Sequence, residues 1–322
     1  MRYRTVIIGL GQIGMGYDLQ LDRKKYIYSH ARSFQTHPDF DLVAAVDTVQ
    51  ENRELFTKEY GVPSYLTYAD AVKGVKPDLV AIAVPTILHS SVIAEVLNVA
   101  PPKAILCEKP LAYSVADGLQ IVDLCAKKNV CLYVNYMRRS EQASVEVKRR
   151  IQNNEIRGPL KGCVWYSKGL IHNGSHFFNL LEYWLGKMQN FQIISFGRLL
   201  SNSDAEPDFQ VSFENGSVVF LAGKEENFSC YSIELLAQNG RLRYEEGGRS
   251  IEWRPAIKDN QLQNYTFLSK QPEMILNDFD RYQYQVVHQL ARALAKQPAS
   301  ICTGIDALET LRNIQTILRG VQ

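Results

Sequence analysis

Short apolar runs rich in β-branched residues alternate with helical patterns throughout the first 136 residues of this chain. The predicted strands are Tyr3–Ile8, Asp41–Val46, Leu79–Val84, Ala104–Cys107 and Val130–Val134. The predicted helices between them are Ala31–Thr36, Glu51–Tyr60, Leu88–Val99 and Val115–Lys128. Strands that alternate with helices of this length indicate βαβ units, so we predict a parallel sheet with helices on both faces. Ligands of such sheets bind at the carboxyl ends of the strands.

The turn after the first predicted strand reads GLGQIG, from Gly9 to Gly14. Gly9 permits a tight turn, Gly11 lets the backbone approach a pyrophosphate, and Gly14 lets a following helix pack close to the strand. The N-terminus of that helix would then face the phosphates of a dinucleotide. A glycine turn alone is weak evidence, but this one follows a strand and opens a βαβ unit. We therefore predict that the first domain binds a dinucleotide.

Asp47 ends the second predicted strand and supports this prediction. A carboxylate at that place accepts hydrogen bonds from the adenosine ribose and repels a 2′-phosphate, so it favours NAD over NADP. NADP stays open, and a strand-end residue that only makes a turn is the alternative interpretation. The gap between Gly14 and Asp47 exceeds the usual ~20 residues, because residues 15–30 (MGYDLQLDRKKYIYSH) form a polar and aromatic insertion. This insertion either borders the active site, with Lys24 or Lys25 meeting an anionic substrate group, or is a solvated loop.

Length, charge and cysteine pattern narrow the class of protein. A chain of 322 residues is too long for one ordinary core, so we predict two domains, residues 1–136 and residues 137–322. The formal net charge of +2, with Lys and Arg scattered, gives no reason to expect a nucleic-acid partner. The six cysteines contain no CxxC pair, as expected of reduced thiols in a cytoplasmic protein. No apolar run approaches the roughly 18 residues of a membrane span, and the first residues run straight into a strand without a signal region. We therefore expect a cytoplasmic protein without a membrane partner.

Three further segments follow predicted strands: AVPT (residues 83–86) with His89 beyond it, CEKP (residues 107–110), and NYMRR from Asn135. Together with the glycine turn they resemble the glucose–fructose oxidoreductase and inositol dehydrogenase family (Gfo/Idh/MocA). The resemblance implies an α/β Rossmann domain with a parallel sheet, followed by an α+β domain with a large, mostly antiparallel sheet. In that family the outer face of this second sheet commonly forms the subunit interface, so we expect a homodimer or a homotetramer. The expected cofactor contacts are Gly9, Gly11, Gln12, Ile13, Gly14, Asp47, Val84, Pro85, Thr86, His89, Glu108, Lys109 and Asn135.

Lys109 of the CEKP segment is the expected general acid/base. The proline after it fixes the backbone in an extended form, which holds the lysine at the carboxyl edge of the sheet. An ammonium with an ordinary pKa of ~10.4 is a poor base at neutral pH. Burial beside an oxidised nicotinamide lowers that pKa and makes proton exchange with a substrate hydroxyl feasible. The resemblance assigns Glu108 to holding the substrate or the lysine, and a surface lysine near a turn is the alternative interpretation of Lys109.

Beyond about residue 138 the alternation of strands and helices stops. A predicted helix, Glu141–Asn153, leads into strand-like segments separated by polar turns such as ENG (214–216) and QNG (238–240). Tight turns between consecutive strands indicate an antiparallel sheet, which presents one face to a partner or ligand. The predicted strands are Leu160–Ser167, Phe191–Arg198, Phe209–Phe213, Ser217–Ala222, Ser229–Ala237, Arg241–Tyr244 and Ser250–Trp253, and the last predicted helices are Asp278–Ala295 and Gly304–Gly320.

Residues 172–176 read HNGSH and precede a predicted helix, His176–Leu185. We expect Ser175 to be the N-cap of this helix and Gly186 to end it. A zinc site of the HExxH kind needs both histidines on one continuous helix, with a glutamate after the first. Here an asparagine replaces the glutamate, and we expect Gly174 to interrupt the helix. The sequence therefore predicts no metal site.

The family's pattern at this place is Asp-x-Gly-x-His-x-x-Asp. Gly174 and His176 match it, whereas His172 stands at the first aspartate and Asn179 at the second. The resemblance implies that His176 binds the reacting hydroxyl or shares its proton. His172 is either a second neutral acid/base or a substrate-binding residue. Both histidines can also simply satisfy the hydrogen bonds of a loop.

The sequence therefore predicts an NAD-dependent dehydrogenase or reductase that transfers a hydride between nicotinamide and a hydroxyl or keto carbon. The expected substrate is a sugar, a cyclitol or a nucleotide sugar, and the expected catalytic residues are Lys109, His176 and His172. The expected substrate contacts are Lys109, Tyr136, Lys168, His172, Asn173 and His176. For Lys168, a solvent-exposed lysine without a substrate role is an equal alternative. Two rival functions stay open: a non-catalytic NAD sensor of the same fold, and a dehydrogenase of a non-sugar substrate.

Overall fold

The structure is a computed structural model that describes residues 2–200 and 204–320. Its strands, in chain order, are β1 (Tyr3–Ile8), β2 (Phe40–Val46), β3 (Ser64–Tyr65), β4 (Leu79–Ile82), β5 (Ala104–Cys107), β6 (Cys131–Val134), β7 (Leu160–Tyr166), β8 (Met188–Ser195), β9 (Asp208–Phe213), β10 (Gly216–Ala222), β11 (Ser232–Ala237), β12 (Gly240–Glu245), β13 (Ser250–Lys258), β14 (Thr266–Leu268), β15 (Glu273–Met274) and β16 (Cys302–Thr303). Its α-helices are α1 (His30–Thr36), α2 (Gln50–Tyr60), α3 (Tyr68–Ala71), α4 (His89–Val99), α5 (Val115–Lys127), α6 (Met137–Ser140), α7 (Gln142–Gln152), α8 (Ser175–Leu185), α9 (Tyr282–Leu294) and α10 (Gly304–Arg319).

The described residues form two compact units. The first unit runs to Ser140 and includes Asp280–Leu311 from near the end of the chain. The second unit comprises residues 141–279 and the residues from Arg312 onward. Helix α9 and strand β16 are therefore part of the first unit, whereas the sequence placed every residue beyond 136 in the second domain.

A seven-stranded sheet forms the centre of the first unit, in the order β16-β6-β5-β4-β1-β2-β3. The strands from β6 to β3 run parallel, and β16 is antiparallel to β6. Val6, Ile7 and Val80 are wholly buried, as expected of strands that are covered by helices on both faces. The order β3-β2-β1-β4-β5-β6 is that of a dinucleotide-binding Rossmann fold. This order confirms the predicted fold of the first domain and brings the carboxyl ends of β1, β2, β4, β5 and β6 to one edge.

Helix α9 belongs to the core of this unit. Its apolar residues Val287 and Leu290 share a buried cluster with Phe34 of α1. The sequence predicts this helix over residues 278–295, and the structure has it at Tyr282–Leu294. Gln283 in its first turn is also wholly buried, so α9 carries a polar side chain into the interior.

The second unit is built on a nine-stranded sheet in the order β14-β13-β12-β11-β7-β10-β9-β8, with β15 paired to β13. β7 and β10 run parallel, and the other pairs are antiparallel. Buried and more exposed side chains alternate along the strands, as expected of a sheet that has one buried face. In β9, for example, Phe209, Val211 and Phe213 are buried while their neighbours are partly exposed. These side chains and those of α8 form one core, and the predicted large, mostly antiparallel sheet is confirmed.

Several strand boundaries differ from the prediction. The strand predicted at Phe191–Arg198 runs from Met188 to Ser195, and the strand predicted at Ser229–Ala237 begins at Ser232. The sequence also predicts none of β3, β14, β15 and β16, which have two or three residues each. Segments this short carry no alternation of their own, and they pair only where the fold brings a neighbouring strand beside them.

Candidate functional site

The glycine turn after β1 is packed tightly on one side and open on the other. Gly9 has a φ of 97°, and a Cβ there would lie 2.6 Å from the carbonyl oxygen of Ala83. A Cβ on Gly14 would lie 2.1 Å from the carbonyl oxygen of Gly9. No atom of the described residues comes within 4 Å of a Cβ built on Gly11. Gly9 and Gly14 therefore let the turn close on itself, while Gly11 faces the space that a ligand needs.

A cavity of about 520 Å³ lies at the carboxyl ends of β1, β2 and β4, within the usual size range of small-molecule sites. Of the residues predicted to bind the cofactor, it is lined by Gly9, Gly11, Asp47, Val84 and Pro85. The sequence interpretation missed other lining residues, which follow β2 and β3 or lie on α4. These include Thr48, Asn52, Leu66, Thr67, Tyr68 and Glu95. For Thr48, Leu66 and Thr67, the position directly after a strand end is a signal that could have identified them.

Asp47 is fixed at the wall of this cavity by the backbone around it. Its Oδ2 accepts the N–H of Leu10 at 2.6 Å, and its Oδ1 accepts the N–H of Val49 at 2.8 Å. The guanidinium of Arg53 donates to the carbonyl oxygen of Asp47 at 2.8 Å. The carboxylate therefore connects the glycine turn to the end of β2, and Asp47 lines the cavity.

The insertion after the glycine turn is an ordered structure. A short 3₁₀ helix, Gly16–Asp18, lies within it, and α1 begins at His30, one residue before the predicted helix. The wholly buried Asp18 explains this order. Its carboxylate accepts the N–H groups of Tyr28 and Ser29 at 2.6 and 2.9 Å and lies 3.6 Å from Nε of Arg32. The insertion therefore closes on itself around a buried ion pair and delivers His30 to the sheet edge.

The two lysines of the insertion, Lys24 and Lys25, make different contacts. The ammonium of Lys25 lies 4.9 Å from the ring centroid of Tyr26, and a hydrogen bond with the Tyr26 side chain raises the pKa of Lys25 above its ordinary value. Lys24 is exposed, and its backbone N–H donates to Oδ1 of Asp22 at 2.9 Å. Neither contact involves a residue predicted to bind the substrate or the cofactor.

Lys109 and Glu108 follow β5, at the carboxyl edge of the sheet. Burial lowers the pKa of Lys109 to about 8; the neighbouring carboxylate of Glu108 opposes this effect, and the charge of Arg138 adds to it. Burial raises the pKa of the Glu108 carboxyl. Hydrogen bonds from His30 and Asn135 outweigh this effect and hold that pKa below its ordinary value. The structure therefore places a lysine that can gain or lose a proton near neutral pH beside an ionised carboxylate.

Glu108 belongs to a group of buried polar side chains that the sequence interpretation found only in part. Oε1 of Glu108 lies 2.8 Å from Nε2 of His30 and 2.6 Å from Nδ2 of Asn135. Gln283 of α9 contacts both partners, with Asn135 at 3.1 Å and His30 at 3.0 Å. Asn135 was predicted to bind the cofactor, whereas His30 and Gln283 were not singled out. His30 is the last residue of the insertion, and Gln283 carries no local signal at all.

His89, another predicted cofactor residue, opens α4 and is wholly buried. Its ring nitrogens lie 3.1 Å from the carbonyl oxygens of Val84 and Leu111. The imidazole thus joins the end of β4 to the segment that follows Lys109. Burial lowers the pKa of His89, which favours the neutral ring.

The other predicted residues of the first unit lie close by in the chain. Gln12 and Ile13 are in the glycine turn, where the carbonyl oxygen of Ile13 accepts the N–H of His30 at 3.0 Å. Thr86 begins a 3₁₀ helix before α4. Tyr136 is buried between β6 and α6.

The HNGSH segment is helical throughout, so two expectations were wrong. Residues Leu170–Gly174 form a π-helical turn that continues directly into α8, and Ser175 is a helical residue rather than the N-cap. Gly174 does not interrupt the helix; a Cβ there would lie 2.9 Å from the side chain of Leu170 and 3.0 Å from that of Tyr166. Close packing therefore explains this glycine. The expectation that Gly186 ends the helix is confirmed, with a φ of 89°.

The helical segment starts early because an aspartate distant in the sequence caps it. Oδ1 of Asp204 accepts the N–H of Ile171 at 2.9 Å, and Oδ2 accepts the N–H of His172 at 3.0 Å. A carboxylate at a helix start satisfies N–H groups that have no partner within the helix. His172 and His176 consequently lie four residues apart on one helical segment.

The two histidines differ in environment. His176 is 7% exposed, whereas His172 is exposed to solvent. Asn179, at the place of the family's second aspartate, is buried. Asn173 donates from Nδ2 to the carbonyl oxygen of Ser167 at 3.0 Å. His172 and His176 belong to the second unit and Lys109 to the first.

Lys168 is half-exposed and forms an ion pair. Its Nζ lies 2.8 Å from Oε1 of Glu225. Glu225 also accepts the hydroxyl groups of Ser167 and Ser229 at 2.6 Å and of Tyr231 at 2.8 Å. Burial raises the pKa of Glu225, but these donors outweigh it and lower the pKa to about 2. Lys168 therefore helps to hold the loop before β11.

Within residues 2–200 and 204–320, no group of three His, Cys, Asp or Glu side chains is arranged to hold a metal ion. In the same residues, no helix is both long enough and apolar enough to cross a membrane.

Residues 3–136 match the model of a family described as an oxidoreductase family with an NAD-binding Rossmann fold, GFO_IDH_MocA. The uncharacterized oxidoreductase YrbE of Bacillus subtilis is 23% identical over 333 residues, which cover 96% of this chain and 91% of that protein. The scyllo-inositol 2-dehydrogenase (NAD(+)) of the same organism is 26% identical over 62% of this chain and 58% of its own length. Residues 3–136 belong to the Gfo/Idh/MocA family.

The fold of the chain also matches solved structures over nearly its whole length. The WlbA dehydrogenase from Bordetella pertussis, in complex with NADH and UDP-GlcNAcA, has a TM-score of 0.72 at 17% identity. The match covers 99% of this chain and 95% of that one. The family match makes the protein an NAD-binding oxidoreductase of CH–OH groups. The predicted family, enzyme class and cofactor are thus confirmed.

Proposed function

We propose that this protein is an NAD-dependent dehydrogenase of a sugar, a cyclitol or a nucleotide sugar, with Lys109 as its general acid/base. The lowered pKa of Lys109, about 8, is the observation that carries this proposal. General acid/base catalysis works best when the pKa of the group lies near the working pH. An ordinary surface lysine does not meet that condition.

The names of similar proteins support the substrate class. One relative is a scyllo-inositol 2-dehydrogenase, and the WlbA dehydrogenase was solved with UDP-GlcNAcA. Both molecules carry several ring hydroxyls, and both reactions use nicotinamide cofactors. We infer a polyhydroxylated ring substrate for this protein as well.

The residues of the first unit fit NAD. Gly11 faces open space beside the glycine turn, and Asp47 is held at the cavity wall. Oδ1 of Asn135 is buried, and no described residue donates a hydrogen bond to it, so it can accept an N–H from a ligand amide. A buried acceptor without a partner costs free energy unless a ligand satisfies it. NAD, when bound, supplies the acceptor or donor of the hydride.

The chain's own residues would then handle the proton and the orientation of the substrate. Lys109 takes the proton of the reacting hydroxyl in the oxidation and returns it in the reduction. His176, buried in the first turn of α8, binds that hydroxyl or shares its proton. His172, which is exposed, binds a more distant group of the substrate, in place of the aspartate found in the family pattern.

We also propose a homodimer or homotetramer that forms through the second sheet. Trp165 of β7 is 42% exposed and Leu236 of β11 is 51% exposed. These strands are neighbours, and Leu221 of β10 lies beside Trp165 in the register. Leu236 lies opposite Lys161, further along β7, so Trp165 and Leu221 are the neighbouring apolar pair on this face. Exposed apolar side chains that adjoin one another are typical of a protein interface.

The proposal is tested by incubating the protein with NAD and a panel of cyclitols, sugars and nucleotide sugars while NADH absorbance is followed. Lys109→Met should abolish turnover of the best substrate and leave NAD binding measurable. Lys103→Met is the matched control, since Lys103 pairs with Asp78 at 3.0 Å before β5, and it should retain full activity. Tight NAD binding without turnover of any substrate would overturn the proposal and favour a sensor. Turnover of a non-sugar hydroxyl alone would reject the substrate class.

A further inference from the structure

Four buried or partly buried polar side chains form a closed ring of hydrogen bonds next to Lys109. The ring runs from Glu108 to His30 (2.8 Å), from His30 to Gln283 (3.0 Å), from Gln283 to Asn135 (3.1 Å), and back to Glu108 (2.6 Å). His30 and Gln283 are wholly buried. All four residues belong to the first unit.

The direction of each bond follows from Glu108. Its carboxylate is ionised and can only accept, so Asn135 must turn its amide nitrogen towards it. The same nitrogen donates its second hydrogen to Oε1 of Gln283. The amide nitrogen of Gln283 therefore faces Nδ1 of His30 and donates to it.

The tautomer of His30 is fixed by this arrangement. Nδ1 accepts from Gln283, so in the neutral ring the proton is on Nε2 and is donated to Glu108. The ring of His30 also stacks on Phe34, with 6.1 Å between the centroids and 13° between the planes. Packing and hydrogen bonding thus hold the imidazole in one orientation.

We propose that His30 is a positioning residue, which acts through Glu108 to hold Lys109 in place and to set its proton affinity, and that Gln283 selects the tautomer this requires. This proposal rests on the proposed function, because it assigns the ring's purpose to Lys109. Neither His30 nor Gln283 need contact the substrate.

The closed ring is suited to holding a charge rather than to conducting a proton. The amides of Gln283 and Asn135 do not release protons near neutral pH, so no proton can leave His30 through them. The ring instead gives Oε1 of Glu108 two donors, which keeps the carboxylate ionised. An ionised Glu108 in turn favours the ammonium form of Lys109 and opposes the effect of burial.

Other charged or titratable groups also act on this pair. The charge of Arg138 lowers the pKa of Lys109, and the charge of Glu108 acts to raise the pKa values of Cys107, His89 and Tyr282. These four groups lie on β5, α4, α6 and α9. A substitution at His30 does not remove any of them. A change in Lys109 caused by that substitution therefore reports on the Glu108 contact.

The experiment uses the full chain with three variants of His30 and Gln283. His30→Phe keeps the stacking on Phe34 but removes the donor, and His30→Gln restores an N–H near the position of Nε2. Gln283→Glu replaces the donor to Nδ1 by an acceptor. His37→Gln is the control, since His37 is a second buried histidine, at the C-cap of the same helix, and its Nε2 lies 3.4 Å from Nδ1 of His288.

Nuclear magnetic resonance of the ¹⁵N-labelled histidines tests the hydrogen-bonded ring of four side chains without any substrate. Nε2 of His30 should carry a proton and Nδ1 should not, and in Gln283→Glu the acceptor that then faces Nδ1 should place a proton on Nδ1. A proton on Nδ1 of His30 in the wild type would overturn the proposal, whatever the enzyme's activity.

The titration of Lys109, assigned by comparison with Lys109→Met, tests the coupling. In His30→Phe its midpoint should fall by at least ~0.5 pH unit, and the pH dependence of kcat/KM should move by the same amount while the affinity for NAD stays within about twofold. His30→Gln should restore both, and His37→Gln should change neither. An unchanged Lys109 midpoint in a folded His30→Phe variant would overturn the proposal. Absence of turnover in the wild type would instead overturn the proposed function, and the two failures are therefore distinguishable.

Discussion

The carboxylate of Asp204 accepts the backbone N–H of His172 at 3.0 Å, although 32 residues separate them. The same carboxylate accepts the N–H of Ile171 and that of Ala205. It therefore caps the helical segment that carries both histidines of HNGSH, and it fixes where that segment begins.

Removing this cap should destabilise the second unit. Asp204→Ala should lower the free energy of unfolding by about 1–2 kcal/mol, because two N–H groups at the helix start lose their acceptor. Urea denaturation at pH 7 measures the change. Asp204→Asn, which keeps one oxygen acceptor, should cost less, and equal losses for the two variants would contradict the role of Asp204 as a cap.

The pH dependence of turnover should follow the lowered pKa of Lys109. Below about pH 8 the lysine is an ammonium and cannot accept a proton, and above it the neutral amine predominates. For the oxidation, kcat/KM should therefore rise about tenfold per pH unit towards pH 8 and then level off. For the reduction it should fall above pH 8. Initial rates in both directions measure this, and a rise in the oxidation that continues unchanged to pH 10 would indicate an ordinary lysine.

Alanine substitutions at two glycines of the same turn should affect different properties, one the stability of the fold and the other the affinity for NAD. Gly14→Ala places a methyl group 2.1 Å from the carbonyl oxygen of Gly9, so it should cost about 1–3 kcal/mol of folding free energy. Gly11→Ala meets no described atom within 4 Å and should fold normally, yet bind NAD at least ~10-fold more weakly because the methyl group takes the pyrophosphate's place. Thermal unfolding and calorimetric titration with NAD separate the two effects. Normal NAD affinity in Gly11→Ala would argue against a pyrophosphate at this turn.

Glu141 should make the stability of the second unit depend on pH. Burial raises the pKa of its carboxyl to about 7, although the N–H groups of Asp278, Ser144 and Ala143 oppose this. Because the folded pKa lies above the unfolded one, the carboxyl's contribution is most favourable below pH 4.5 and is lost as the pH rises through 7. Compared with the always neutral Glu141→Gln, the wild type should lose about 3 kcal/mol of unfolding free energy between pH 4.5 and 8. Urea denaturation of both proteins across this range is the measurement, and a constant difference would show that Glu141 keeps an ordinary pKa.

The proposed subunit interface should be sensitive to charge at Trp165. Trp165→Arg places a cation beside Leu221 on the open face of the second sheet and should convert the oligomer to monomers. Size-exclusion chromatography with light scattering gives the mass of each species. Leu262→Arg is the control, since Leu262 is similarly exposed at 55% but lies outside the strands of that sheet. A wild-type mass of one chain would rule out the interface.

Local patterns in the sequence were enough to predict the first sheet and most of its ligand-binding edge. The strands β1, β4 and β5 are short apolar runs that stop at glycine, proline or charged residues, and such runs have little choice but to be buried. The glycine turn, Asp47 and the segment around Lys109 were recognised for the same reason: each is a contiguous motif at a strand end.

Only the tertiary structure showed which long-range contacts connect these motifs to the rest of the fold. Gly174 looked like a helix breaker because its low helix propensity is a local property, but Asp204 caps the segment and the side chains of Leu170 and Tyr166 leave room for nothing larger. His30 and Gln283 meet across 253 residues, and no pattern in either neighbourhood indicates that contact. The sequence by itself determined which segments form the main strands of the first sheet and which residues stand at their ends, because burial and turn formation act over a few residues. The fold decided which buried polar groups satisfy one another, because a hydrogen bond depends on distance in space and not on separation along the chain.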